Sequence, residues 1–379
     1  MKSTIALACA LAACPLVALA QSAPPTFSGV TIYGNFDEYY GYIRSSSGAH
    51  INGLNDGAIL RTRLGFRGVE PLGGGYEVKY QLEMGVNADT GSGADTSRLF
   101  DRQAWVGINT PVGEFRIGRQ NTEIFLIGGA IDYTDRTTFG SLFNTFGIPS
   151  RYDNDLSYKS PRLYGAQLAL HYALPENTSK ADNGPVLQAL LDWQQGPWRA
   201  GYVGLTARPD GVTAKVRNHI VYHNLYLNYQ HSRGKVYLAL GRSNNSTANA
   251  NGNNAAAILS NVASPNNFFP GTDINATRYY NMAQISADYF VNTRFRVGAL
   301  YGVLHDTSGG GASARGANVG GYYEMSKRTT LYGFISRLHN DSKAGFRFSS
   351  SAGPSANLAG ADVNGQKLTG LQAGILHRF

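Results

Sequence analysis

From Gly29 the chain alternates between apolar and polar positions with a period of two. In VTIYGNFDEYYGYI, Val30, Ile32, Phe36, Tyr40 and Tyr42 fall on one side of an extended strand, opposite Thr31, Tyr33, Asn35, Asp37 and Tyr39. Leu60–Arg67 sharpens the contrast, with Leu60, Leu64 and Phe66 against Arg61, Arg63 and Arg67. In Gly75–Asn87, Tyr76, Val78, Tyr80, Leu82, Met84 and Val86 oppose Glu77, Lys79, Gln81 and Glu83. One face suits lipid and the other suits water.

Thirteen further segments read as strands, near 99–109, 115–120, 151–160, 165–174, 186–195, 198–207, 219–231, 235–243, 278–290, 294–304, 316–326, 329–338 and 367–379. The total is sixteen. A soluble sandwich also alternates, so the connections decide between the two. Short turns at 71–75, 110–114, 160–165, 195–198, 232–235, 290–293 and 326–329 take turns with longer polar segments at 43–57, 87–97, 175–185, 243–277 and 339–366. Short links at one end and long ones at the other are the asymmetry of an outer-membrane β-barrel, with turns at the periplasm and loops outside. The expected fold is therefore all-β, a single domain forming a 16-stranded antiparallel transmembrane barrel wide enough for an aqueous channel. Ring closure satisfies every backbone N–H and C=O in lipid.

The stretch 120–150, QNTEIFLIGGAIDYTDRTTFGSLFNTFGIPS, breaks the alternation between two segments that keep it. Its length, its Asp132, Asp135 and Arg136, and the flanking Arg119 and Arg151 predict a loop folded into the lumen to narrow it. The chain ends in LTGLQAGILHRF, with Leu371, Ala373, Ile375 and Phe379 on one face, a form that resembles the terminal signal read by outer-membrane assembly machinery.

Composition adds a leader to this picture. Lys2, the apolar run Ile5–Leu19 and Ala18-Leu19-Ala20 before Gln21 have the form of a secretory signal, so residues 1–20 are expected to be removed and 21–379 to form the barrel. Leu11-Ala12-Ala13-Cys14 offers a lipoprotein-type alternative. Both cysteines, Cys9 and Cys14, lie in that leader, so an exported chain carries no disulfide. No later stretch reaches the ~20 apolar residues of a membrane helix, and a mean hydropathy of −0.24 suits barrel strands, where only every second residue is apolar. The formal net charge of +8 is spread singly, with no basic run, so nucleic acid is not an expected partner.

Several segments together resemble the trimeric general porins of Gram-negative bacteria, those of the Neisseria and Burkholderia type. The segments are VTIYGNFDEYYGY, RLGFRGVEPLGGGYEVKYQLE, FDRQAWVGINTPVGEFRIGRQ, RYDNDLSYKSPRLYGAQLALHYA and the closing ILHRF. The resemblance implies a 16-stranded barrel with an inward third loop, a homotrimer, and a constriction with a basic wall facing an acidic loop. Arg63 in RLGFRG, Arg102 in DRQAWVG and Arg151 in RYDND match the basic wall, and Asp135 in YTD matches the first loop acid. Where many relatives carry a second acid, this chain reads Thr137-Thr138-Phe139-Gly140. The loop should then narrow the pore more than it balances its charge.

Arg63 lies on the polar face of its strand by parity, and Arg151 shares its parity with Asp153, Asp155, Ser157 and Lys159. Arg102 shares its parity with Ala104, Val106 and Ile108. Placing that set inward turns Trp105 outward and avoids about 2–4 kcal/mol for an arginine at mid-bilayer on the lipid face. A ring of fixed positive charge favours anions over cations. Arg61, Arg67, Lys79, Arg116, Arg119, Asp132 and Arg136 are further candidates for the pore lining; solvation of a wet wall or pairing with Asp153 and Asp155 is the alternative role for Arg63, Arg102 and Arg151, and equally for Arg61, Arg67, Lys79 and Arg116.

The expected function is passive diffusion of small hydrophilic solutes and ions with anion preference, without a cofactor, amid outer-membrane lipids and lipopolysaccharide. Selective uptake of one organic anion, a barrel enzyme and a soluble secreted β-protein are the alternatives. An enzyme needs a Ser/His/Asp-type constellation, and no motif supplies one. Asp89, Asp95, Asp153 and Asp155 lack calcium-loop spacing, the histidines form no helical ligand pair, and Gly73–Gly75 and Gly309–Gly311 precede no Gly-Lys-Ser/Thr.

Overall fold

A computed structural model describes residues 28–146, 150–174, 185–207, 220–243, 279–348 and 357–379. The expected leader, nearly all of 175–185 and 243–277, and part of 339–366 lie outside the described residues.

Sixteen strands close into one antiparallel ring. They are β1 (Ser28–Ser45), β2 in two pieces (His50–Asp56 and Arg63–Gly73), β3 (Tyr76–Asn87), β4 (Gln103–Thr110), β5 (Gly113–Asn121), β6 (Arg151–Lys159), β7 (Ala166–Ala173) and β8 (Val186–Gln195). They continue as β9 (Trp198–Ala207), β10 (Ile220–His231), β11 (Gly234–Ser243), β12 (Tyr280–Phe290), β13 (Phe295–Asp306), β14 (Ala314–Glu324), β15 (Thr329–Asn340) and β16 (Lys367–Arg378). Each strand pairs with the next, and β16 pairs with β1 in a register running from Asn35↔Arg378 to Ser45↔Leu368. A two-residue bridge, Ser92–Gly93, folds back on the end of β3.

The faces follow the sequence parity. Val30, Ile32, Phe36 and Tyr40 point outward and are exposed, while Asn35, Asp37 and Tyr39 are buried inside. The last strand repeats this, with Leu371, Ile375 and Phe379 outside and Leu368, Gln372 and Leu376 inside. Exposed apolar side chains in such number suit a hydrocarbon solvent. Trp198, Tyr229, Tyr289 and Tyr323 stand outward at the turn end, a girdle position. Tyr33, by contrast, points inward and donates to Glu83 at 2.9 Å.

Two boundaries differ from the alternation. The segment 43–57, expected as a long connection, instead carries the end of β1 and the first piece of β2, His50–Asp56, which pairs with β1. Leu60 was expected to begin a strand on the apolar face, yet the ladder breaks at 57–62. The inward Asp37 carboxylate accepts the amides of Ile59 and Leu60, both at 2.7 Å, and the hydroxyl of Tyr332 at 2.5 Å. Leu60 consequently packs against an interior cluster, and the second piece of β2 starts at Arg63.

Inside the ring, the described part of 122–150 crosses the lumen. Thr122 caps the short helix α1 (Glu123–Gly128), its Oγ1 accepting the Phe125 amide at 3.1 Å. A second short helix, α2, spans Leu142–Phe146. Wall side chains hold the loop: Gln188 Oε1 accepts the Glu123 amide at 2.6 Å, Asn228 Nδ2 donates to Ala130 O at 2.7 Å, and Gln284 Oε1 accepts the Leu142 amide at 2.9 Å. Phe139, Leu142, Phe143 and Phe146 are nearly fully buried among wall residues, each such burial contributing about 1.5–3 kcal/mol.

The connection 339–366 was expected outside. Its described part instead turns inward, with the Phe348 ring 4.9 Å from Phe139 and the Phe346 ring 5.7 Å from Tyr280. Phe346 and Phe348, with the buried Leu358 and Val363, explain the difference, since the inward loop offers them an apolar seat.

Candidate functional site: a charged constriction beside the inward loop

Arg63 opens the second piece of β2, and Glu83 stands opposite on β3, both directed into the lumen by parity. Glu83 is only 3% exposed and receives Arg102 Nε at 2.7 Å and Arg63 Nη1 at 3.6 Å. Two guanidinium groups therefore share one carboxylate. Arg151, 2% exposed at the start of β6, has its Nη1 donating to Ser150 Oγ at 3.3 Å and holds no carboxylate among the described residues.

Arg102 points inward, but not for the reason its parity suggests. It sits in a bend before β4, whose inward positions are Gln103 and Trp105, while Val106 and Ile108 face out. Trp105 was expected outward. It lies inside, where its Nε1 donates to Gln103 and the Arg116 guanidinium stacks 4.1 Å from its ring. The bend releases Arg102 from the alternation, so both large side chains turn to the lumen.

The loop divides its charges by backbone geometry. Asp135 and Arg136 occupy consecutive left-handed conformations, at φ 52° and 68°. Arg136 reaches the basic cluster, donating to Phe125 O at 2.6 Å with its guanidinium 3.9 Å from the Phe125 ring. Arg151 lies 5.5 Å from the same ring. Burial, together with the Arg102 charge, lowers the Arg136 guanidinium to about 10.

Asp135 goes the other way. Its carboxylate meets Arg296 of β13 at 2.7 Å, and Arg296 also binds Asp288 at 3.0 Å. The expected opposition of Asp135 to Arg63, Arg102 and Arg151 thus takes a different form: Glu83 stands among the arginines, and Asp135 is held on another part of the wall. Asp132, within the loop, is 1% exposed, accepting from Thr134 and Gln284, and lines no open path.

The remaining candidates also face inward. Arg61 donates to Asn87 at 2.9 Å, Arg67 lies 5.1 Å from the Tyr33 ring, Lys79 pairs with Glu114 at 3.1 Å, and Arg116 pairs with Glu114 as well. Arg119 donates to Asp101 O at 2.6 Å and pairs with Asp153, which also binds Arg98 at 2.9 Å. Asp155 holds His171 at 2.6 Å. Among the described residues the cations that pair with Asp153 are thus Arg119 and Arg98, not Arg63, Arg102 or Arg151.

Glu83 and Arg296 were not singled out beforehand. Glu83 was visible only as one polar position in an alternating strand. Arg296 lies far from the loop in sequence, so nothing local pointed to its partner.

Closed antiparallel ring, outward apolar face, inward charged face and a loop seated across the lumen together define an outer-membrane diffusion channel. Residues 6–343 match the model of the Gram-negative porin family, and the chain belongs to that family. It is 27% identical to an outer membrane porin protein of Bordetella pertussis, over 100% of both chains. It is also 27% identical to outer membrane porin protein 32 of Delftia acidovorans, over 100% of this chain and 99% of that one. Among solved structures, the anion-selective porin from Comamonas acidovorans superposes with a TM-score of 0.75 at 23% identity, covering 93% of this chain and 100% of the other. The protein is a porin of the outer membrane, and its family is a class of channels rather than of enzymes.

Proposed function

We propose that this porin passes small hydrophilic solutes with a preference for anions, and that Arg63, Arg102 and Arg151 form the basic wall of its constriction. The observation that carries this reading is the charge balance at that wall. Arg63 and Arg102 share Glu83, and among the described residues Arg151 has no carboxylate, so fixed positive charge is in excess. Asp135, the loop acid, is taken up by Arg296. Unbalanced fixed charge lowers the barrier for the opposite sign. The anion selectivity named for the Comamonas acidovorans structure agrees with this sign.

In planar bilayers under a KCl gradient, the zero-current potential should have the anion-selective sign. Replacing Arg63, Arg102 and Arg151 together by glutamine should move it toward cations; an unchanged potential would remove their assigned role. Trimeric assembly also belongs to this proposal, supported by the trimer form described for the structurally similar OmpT of Vibrio cholerae. Cross-linking in detergent tests it.

One observation favours a second reading, uptake of an organic anion. Arg102 is fully buried, yet among the described residues its Nη1 and Nη2 lack a hydrogen-bond partner, as do Nε and Nη2 of Arg151. Buried donors of this kind suit a carboxylate. Block of chloride current by a dicarboxylate would separate this reading from simple diffusion.

A further inference from the structure

A cavity of about 370 Å³ lies against the inward loop at the turn end of the lumen, apart from the basic wall. The loop lines it with Ala130 and Asp135. The wall lines it with residues next to their turns: Arg199 near the start of β9, Asn228 near the end of β10, Lys235 at the start of β11 and Arg296 at the start of β13. Parity directs Lys235 to the lumen, since it shares a face with the buried Tyr237 and Ala239, whereas Val236, Leu238 and Leu240 face lipid. Short turns mark the periplasmic end of such a barrel, so the cavity opens on that side of the loop.

The protein matches only some of the polar groups there. Arg199 Nε meets Asp192 at 2.8 Å, and Arg296 bridges Asp135 at 2.7 Å and Asp288 at 3.0 Å. Lys235 differs from both arginines. Its main-chain amide donates to Asp288 Oδ1 at 2.8 Å, but its ammonium is exposed and meets no carboxylate among the described residues. On the acid side, Asp135 keeps 43% of its side chain exposed, so Arg296 covers only part of the carboxylate. Asn228 adds an acceptor. It is 6% exposed and its Nδ2 donates to Ala130 O at 2.7 Å, while its Oδ1 has no hydrogen-bond partner among the described residues.

An open ammonium, a half-open carboxylate and a buried amide oxygen on one cavity ask for a solute with charges of both signs. A carboxylate alone satisfies Lys235 but meets the like charge of Asp135. An ammonium alone satisfies Asp135 but meets Lys235 and Arg296. A zwitterion satisfies all three groups at once, with its ammonium on Asp135 and Asn228 Oδ1 and its carboxylate on Lys235. The volume lies within the range of pockets that hold small molecules.

We propose that this cavity holds zwitterionic amino acids on the periplasmic side of the loop, with Lys235 binding the carboxylate and Asp135 and Asn228 the ammonium. The inference rests on the reading of the lumen as an open channel and is independent of the preference set at Arg63, Arg102 and Arg151.

The test uses planar bilayers at neutral pH and three matched solutes: L-glutamine as the zwitterion, glutaramate, which lacks the ammonium, and 4-aminobutanamide, which lacks the carboxylate. Interruptions of the ion current read the binding of each. In the wild type L-glutamine should bind about tenfold more tightly than either analogue. Lys235→Gln should bring it down to the level of 4-aminobutanamide, while a Lys327→Gln control at another turn keeps the difference. Equal binding of glutaramate would mark a plain anion site, equal binding of 4-aminobutanamide a cation site, and equal binding of xylitol a general polar pocket. Each of these overturns the proposal, as does a Lys235→Gln variant that binds like the wild type. Where the variant fails to fold, the comparison of solutes on the wild type decides alone. The reversal potential in a KCl gradient without added solute judges the anion preference separately, so either reading can fail while the other stands.

Discussion

Glu83 shows what a single carboxylate does among like charges. It is nearly buried and ties Arg102 and Arg63 to one point on the wall. Glu83→Gln keeps the shape and removes the charge, leaving a buried Arg102 without its counter-ion. Breaking a buried pair in this way costs ~3–5 kcal/mol, so denaturant unfolding in detergent should show a loss of that order. In bilayers the same variant should move the reversal potential further toward anions, since the excess positive charge grows. A shift toward cations would show that Glu83 does not screen the wall. At this scale Arg63 and Arg151 were legible from strand parity, because the alternation holds where they sit. Arg102 was not, because a bend precedes β4 and frees it from the parity that Trp105 obeys. The Glu83 pairing was illegible too, since alternation gives a residue's face but not which cation across the strands will reach it.

The inward loop is held by contacts that strand geometry prepares. Gly298 of β13 leaves room for Tyr133, since a Cβ there would lie 2.3 Å from its ring, and the Tyr133 hydroxyl donates to Asn318 at 2.5 Å. Gly298→Val should push Tyr133 off the wall and loosen the loop, read as larger conductance steps with more flicker; unchanged steps would separate Tyr133 from the loop's position. Asp132 gives the loop a pH dependence. Burial raises its carboxyl above the usual aspartate range, against hydrogen bonds from Thr134 and Gln284 that favour the ion. A raised folded-state value means the native loop binds more protons than the unfolded chain. Its contribution is therefore most favourable at acid pH and falls as pH rises from the ordinary aspartate range through the raised value. The stability difference between wild type and Asp132→Asn should accordingly change across that window, with the wild type losing ground as pH increases. A constant difference would remove Asp132 as its source. That 120–150 is a loop was legible because it breaks a regular pattern. Its seating was not, since Gln188, Asn228, Gln284 and Gly298 are contributed by four distant strands.

Closure of the whole ring depends on the last residue meeting one near the beginning. Gly34 and Phe379 exchange both main-chain hydrogen bonds at 3.1 Å, and a Cβ on Gly34 would lie 2.5 Å from the Phe379 ring, which also sits 6.0 Å from Phe36. Sixteen strands could be counted from the chain because period-two alternation and short turns repeat throughout. The interruption of β2 could not, since Asp37 captures the Ile59 and Leu60 amides from 22 and 23 residues away. The terminal phenylalanine was expected to serve recognition by the assembly machinery, and the closed structure adds a mechanical part. The two roles separate experimentally. Phe379→Ala keeps the main-chain pair with Gly34 and loses only the ring, whereas deletion of Phe379 removes both hydrogen bonds at the seam. In cells both changes take away the aromatic terminus, so both should lower the amount of heat-modifiable barrel in the outer membrane to a similar degree. In refolding of purified chain into lipid vesicles no machinery is present, and only closure counts. There the deletion should fold more slowly than Phe379→Ala, because an open seam leaves unpaired backbone groups facing lipid. Equal refolding of the two variants would confine Phe379 to recognition and leave the seam to the rest of β1 and β16.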